Sequence, residues 1–132
     1  RPDMAYYKFT KNIMNNKKID VFNNGNHSRS FTYIDDIVNS IFDLFKIYKE
    51  ESKFNEIFNI GGSGSIRLED FILNIEQLCA KKSVKNYISS QEGDVKNTNA
   101  DCSKIFKKIN YKPSTDIKEG LSNFFEWYKI FQ

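Results

Sequence analysis

Residues 19–49 read IDVFNNGNHSRSFTYIDDIVNSIFDLFKIYK, and the change of period inside this stretch decides the fold class. IDVFN (19–23) has the β-branched and aromatic content of a short strand. NNGNHS after it is turn chemistry, because Gly25 and its Asn and Ser neighbours tolerate unusual backbone angles. The chain becomes extended again around FTYI. Then Ile37, Val38, Ile41, Phe42 and Phe45 recur at helical spacing, with Asp35 and Asp36 at the helix end whose dipole favours negative charge. A strand feeding a helix points to an α/β chain.

The same alternation extends outward in both directions. Upstream, Tyr6, Phe9 and Ile13 share one face of a helix expected from Ala5 to Asn16, with Asp3 placed to cap it. Downstream, EIFNI (56–60) reads as a strand and GGSGS (61–65) as a loop. Ile66 to Leu78 reads as a helix burying Phe71, Ile72, Ile75 and Leu78. NYISS (86–90) is a further short strand, and Asp101 to Ile109 a short helix that stops ahead of Pro113. Asp116 with Glu119 forms an N-cap pair opening a last helix that buries Ile117, Leu121, Phe124, Phe125 and Tyr128. With no internal repeat and no long linker, residues 1–132 are expected to form a single unit. Its strands are few and short for so aromatic a set of helices, so the sheet is expected to need neighbours from elsewhere.

Composition removes several function classes. Hydrophobic residues make up 39% and charged residues 28%, a globular balance, and no apolar run reaches the roughly 18 residues of a membrane span. No secretory signal pattern is visible, so the expected location is the cytoplasm. The net charge is only +3 and the lysines are scattered, which argues against a nucleic-acid surface. Cys79 and Cys102 match neither a disulfide framework nor a metal spacing and read as free thiols. His27 is the single histidine, in a polar loop that suggests exposure, so no two-histidine metal site can form.

Three motifs invite sharper readings. Tyr7 and Lys11 have a Tyr-x-x-x-Lys spacing, in which a lysine one helical turn away lowers a tyrosine's pKa, but seven tyrosines among many lysines make one match by chance expected. GGSGS sits between strand and helix as a phosphate-cradling loop would, yet the sixth position from Gly61 is Ile66, not glycine, which favours a plain turn. Arg29, at the end of the polar loop, is either a solvated charge or a bidentate clamp on phosphate, depending on which polar groups converge beside it.

VFNNGNHSRSFTYIDDIV, from Val21 to Val38, resembles the V-aromatic-x-x-G-x-x-x-R-x-F-x-Y-(I/V)-x-D-(I/V)-V signature of extended short-chain dehydrogenases that act on nucleotide sugars, the NAD-dependent epimerase/dehydratase family. FNIGG (58–62), QEGDV (91–95) with TNAD (98–101), and YKPSTDIKEGLSNFFEWY resemble that family's later strand, substrate loop and closing helix. RPDMA followed by KFTKNI is similar to the UDP-glucuronate 4-epimerase subgroup. The resemblance runs the whole chain. It implies the C-terminal, substrate-binding portion of a Rossmann-type fold, with NAD and the catalytic Tyr-x-x-x-Lys carried by an N-terminal dinucleotide-binding half that is absent here. Tyr7 and Lys11 then resemble ordinary positions on the first helix.

The resemblance also implies a site for a UDP-sugar. Arg29 would bind the diphosphate, the backbone N–H groups of Met4 and Ala5 would face it, and Arg1 would lie near the phosphate or the sugar carboxylate. The main chain near Asp20 and Phe22 would recognise uracil, with Phe22 close to the ring. Asp94 would accept from a ribose or nearby hydroxyl. Gln91 stands where many relatives carry arginine, which leaves diphosphate binding resting more heavily on Arg29. In the family reaction NAD takes hydride from sugar C4 and returns it to the other face. This chain alone would bind no NAD, hold no metal, carry no catalytic residue and perform no epimerisation. A free-standing UDP-binding or interaction module is the alternative reading.

Overall fold

The computed structural model describes residues 2–49, 55–62, 64–90, 93 and 95–131. Helix α1 (Ala5–Met14) buries Thr10 and Ile13, and strand β1 (Lys18–Phe22) buries Ile19 and Val21 while its alternate residues face outward. After a tight turn at Asn23–Gly25 come strand β2 (Ser28–Ser30) and helix α2 (Ile34–Tyr48). Strand β3 (Ser65–Arg67) leads directly into helix α3 (Leu68–Cys79), followed by β4 (Val84–Ile88), α4 (Ser103–Ile109) and α5 (Ile117–Phe131).

Two small sheets result. β1 and β4 run parallel, with Lys18 opposite Val84 and Phe22 opposite Ile88. β2 and β3 run antiparallel, with Arg29 opposite Ile66, and Ser28 makes a further parallel bridge to Asn97. The core is a layer of Ile13, Ile19, Val21, Phe71, Ile72, Ile75, Cys79, Leu121 and Phe125, so α1, α3 and α5 close over β1. Phe31 stacks on Phe71 with ring centroids 4.5 Å apart and planes 4° from parallel, which ties the chain between β2 and α2 to that core. The expected N-cap of the last helix is present, with the Glu119 amide donating to Asp116 Oδ1 at 2.9 Å.

Four expectations change. The N-cap of α1 falls on Met4, with no side-chain cap, rather than on Asp3. His27 is buried at 7% exposure, because pairing of β2 with β3 draws it under the start of α3, where its carbonyl accepts from the Leu68 amide at 2.9 Å. Residues 55–60 are not in a ladder; a strand needs a neighbour, and no main-chain hydrogen bond joins 55–60 to another segment among the described residues. The apolar stripe of α2 points away from the body: Val38, Ile41, Phe42 and Phe45 are more than half exposed, and the buried positions are Asp36 and Ser40. Among the described residues no helix is long and apolar enough to cross a membrane.

Candidate functional site

A three-residue turn separates α1 from β1, and Asn12 Nδ2 donates to the Lys18 carbonyl at 3.0 Å, so β1 folds back along α1. Ten helical residues rise about 15 Å and five strand residues about 16 Å. Phe22 closes β1 at the end remote from that turn. Because β4 is parallel to β1, its end at Ile88 lies beside Phe22. The carboxyl ends of two parallel strands thus lie side by side, and the N-terminus of α1 has no acidic residue in its first turn. Ligands of α/β proteins settle at such edges, and the dipole there favours an anion.

Arg29 lies on a strand held by the loop at residues 96–98. The Ser28 amide donates to the Lys96 carbonyl at 3.0 Å and the Thr98 amide to the Ser28 carbonyl at 3.3 Å, lacing β2 to residues 96–98. Ser28 Oγ and Asn97 Oδ1 are 2.6 Å apart, and the Ser30 amide donates to Thr98 Oγ1 at 3.2 Å. Arg29 Nη1 donates to the carbonyls of Ser28 (3.1 Å) and Lys96 (3.0 Å), which sets the plane of its guanidinium against the loop.

Of the residues named from sequence, Met4 is the N-cap of α1, Ala5 opens that helix, Phe22 ends β1, and Arg29 lies in β2, laced to residues 96–98. Asp20 is on β1, exposed, and its carboxylate accepts from Asn86 Nδ2 of the facing strand at 2.8 Å. β1 has β4 on one side and no strand on the other among the described residues, which leaves an edge for a planar base. Arg1, Gln91 and Asp94 lie outside the described residues.

Sequence reasoning missed the support under the Asn23–Gly25 turn. Asn23, Asn24 and Gly25 have φ of 49°, 51° and 79°, three successive left-handed residues. A Cβ on Gly25 would sit 2.6 Å from Glu69 Oε1, so glycine admits the carboxylate from α3. Glu69 is held in turn by Lys85 Nζ and by the Tyr87 hydroxyl, which donates at 3.0 Å. Burial pulls the Lys85 ammonium down, but the hydrogen bond and charge of Glu69 outweigh it and leave it above its ordinary value. The Tyr87 hydroxyl is pushed up, chiefly by its bond to Glu69.

The GGSGS glycines do not fit a dinucleotide. A Cβ on Gly61 would lie 2.5 Å from the Ala100 Cβ and one on Gly62 only 2.0 Å from the Phe31 carbonyl oxygen, so both serve close packing inside the chain. Strand β3 also stands between them and α3, so no helix N-terminus faces them. An open cleft of about 870 Å³ lies elsewhere, lined by Ile34, Phe71, Ile117, Leu121, Phe124 and Trp127 among others. None of the described residues named for substrate lines it.

Residues 1–61 match the family model described as NAD dependent epimerase/dehydratase family. An uncharacterized protein of Methanocaldococcus jannaschii is 46% identical over 97% of this chain and 38% of its own length. A UDP-glucuronate 4-epimerase of Thermodesulfobacterium geofontis is 38% identical over 98% of this chain and 39% of its own. The crystal structure of a Bacillus cereus UDP-glucuronic acid 4-epimerase in complex with UDP-glucuronic acid and NAD superposes with a TM-score of 0.88 at 31% identity, covering 100% of this chain and 41% of that one. The chain thus spans about two fifths of the length of the relatives it matches. By its motifs, its fold and its agreement with these proteins over nearly all its residues, the chain is similar to a C-terminal portion of the NAD-dependent epimerase/dehydratase family.

Proposed function

We propose that this chain is the nucleotide-sugar anchor of an NAD-dependent UDP-glucuronate 4-epimerase, the part that grips UDP-glucuronate while the sugar is converted to UDP-galacturonate. The observation that supports the reading is the lacing of the strand bearing Arg29 to residues 96–98, in a chain 38% identical to a UDP-glucuronate 4-epimerase. A UDP-sugar presents two phosphate charges and a flat base. The planar fork of Arg29 suits the diphosphate, and the first amides of α1, at Met4 and Ala5, add a positive dipole end. The open edge of β1 near Asp20 and Phe22 offers main-chain groups to uracil, with Phe22 packing at the ring. Arg1, Gln91 and Asp94 keep the roles inferred from sequence.

NAD, which supplies hydride transfer at the sugar, belongs to residues outside this chain. The part played here is remote from the reacting carbon: a firm hold on UDP keeps the intermediate bound while the sugar turns, so binding energy far from the chemistry serves turnover. The 132 residues alone are expected to bind the nucleotide without epimerising it.

The test is calorimetric titration of UDP into the natural protein that carries this chain, wild type against Arg29→Ala. A charge-assisted hydrogen bond is worth about 1.5–3 kcal/mol, so Kd should rise about 10- to 150-fold, with Arg29→Lys intermediate. An unchanged Kd would sink the assignment.

A further inference from the structure

We propose that Glu69 is a positioning residue for UDP: its carboxylate ties the sheet that carries Arg29 to the sheet that carries the base-recognising edge, and so sets the span one nucleotide must bridge. The proposal rests on the anchor reading, because it takes Arg29 and the β1 edge near Asp20 and Phe22 to be two ends of one site.

Those two ends lie in different sheets. β1 pairs with β4, whereas β2, with Arg29, pairs with β3. The covalent link between them is residues 23–27, and it opens with three successive left-handed residues, Asn23, Asn24 and Gly25. Backbone of this kind persists only where its surroundings over-determine it. The Asn26 amide donates to the Asn23 carbonyl and Asn23 Nδ2 to the Asn26 carbonyl, both at 2.9 Å. These bonds fix the shape of the turn and not its distance from either sheet.

Glu69 supplies that distance. It is the second residue of α3, directly behind β3, and the Leu68 amide before it donates to the His27 carbonyl at 2.9 Å. The hydrogen bonding of the Arg29 sheet therefore runs to within one residue of Glu69. Its carboxylate then crosses to the other sheet. Lys85 Nζ and the Tyr87 hydroxyl (3.0 Å) both donate to it, from alternate positions of β4 that share a face and stand opposite Ile19 and Val21 of β1. The same side chain lies over Gly25, where a Cβ would come 2.6 Å from Oε1 and 3.2 Å from Cγ. One side chain thus meets the Arg29 sheet, the β1 sheet and the turn that joins them.

Magnitudes separate this role from a merely structural one. The Lys85 and Glu69 side chains are 24% and 30% exposed, and an ion pair open to water adds little to folding. Cutting it should leave the fold standing and free a distance. Arg29 is bonded to the Ser28 and Lys96 carbonyls, so its guanidinium moves with β2 once the tie is gone. A structural pair would lower stability and spare affinity; a tie does the reverse.

The test is calorimetric titration of UDP into the natural protein that carries this chain, as wild type, Glu69→Ala, Arg29→Ala and the double variant. Glu69→Ala should raise Kd about 5- to 30-fold, the scale of coupling within one network, and move the urea midpoint by less than about 0.7 M. In the double variant Kd should match that of Arg29→Ala to within about 2-fold, because a tie has no effect once the group it places is gone. An unchanged Kd for Glu69→Ala would overturn the proposal, and so would losses that multiply in the double variant. If Glu69→Ala does not fold, Tyr87→Phe, which removes one donor and keeps the ring, decides by the same two criteria, with a rise in Kd of about 2- to 5-fold expected. Failure of the anchor itself looks different: Arg29→Ala would then leave Kd unchanged, whereas a loss for Arg29→Ala beside none for Glu69→Ala keeps the anchor and removes the tie.

Discussion

Replacing Asp36 with alanine should be among the most damaging single changes in the chain, although the residue lies in the first turn of a helix where an aspartate is ordinarily a surface cap. Its carboxylate, in a residue 6% exposed, accepts three hydrogen bonds from Ser114 and Thr115, at 3.0–3.3 Å. Alanine leaves two main-chain amides without that acceptor, each costing about 1–3 kcal/mol, while the Ser114 hydroxyl can turn elsewhere. The three bonds share one acceptor and do not add in full, so the expected loss is about 3–4 kcal/mol. Asp36→Asn separates shape from charge. It can keep one oxygen for Ser114 but sets an amide donor against the Thr115 N–H, for a loss of about 1–2 kcal/mol. Urea unfolding followed by fluorescence of the single tryptophan, Trp127, reads both. With a slope of about 1.5 kcal/mol/M, the midpoint should fall by about 2–2.7 M for alanine and about 1 M for asparagine. A midpoint for Asp36→Ala within about 0.3 M of wild type would show that the latch does not hold α2, and equal losses for the two variants would remove the part played by acceptor geometry.

Three other changes probe separate features. Gly62→Ala should cost about 2–3 kcal/mol in the same assay, because its Cβ would meet a main-chain oxygen at 2.0 Å that no rotamer change can move; a neutral substitution would show the packing to be looser. Burial pushes the Glu76 carboxyl up, but hydrogen bonds from the Ser83 hydroxyl and amide and from Lys82 outweigh it and leave it below its ordinary value. A lowered native carboxyl gives stability that is complete above the ordinary glutamate range and is lost as pH falls through it toward the native value. The stability gap between wild type and Glu76→Gln should therefore close between about pH 6 and pH 3, and a gap constant with pH would refute the ionic role. Burial also raises the Cys79 thiol, so iodoacetamide at about pH 7.5 should modify half-buried Cys102 first, and equal rates by mass spectrometry would contradict the burial of Cys79.

What the sequence made legible was local. The face of α3 through Phe71, Ile72 and Ile75 follows from a period, and the Asp116–Glu119 cap from a spacing of three, so both could be read without knowing any neighbour. The stripe on α2 was equally visible, but a period says which residues share a face and not what covers it; only the distant Ser114 and Thr115 decide that the stripe turns outward. His27 looked like a loop residue and is buried because β3, some forty residues on, closes over it. Glu69, Lys85 and Tyr87 carry no motif at all, and their role under Gly25 emerges from contacts spanning sixteen to forty-four positions. For the anchor, the resemblance supplied Met4, Ala5, Phe22 and Arg29, whereas the lacing of β2 to residues 96–98 is long-range hydrogen bonding that no pattern announces.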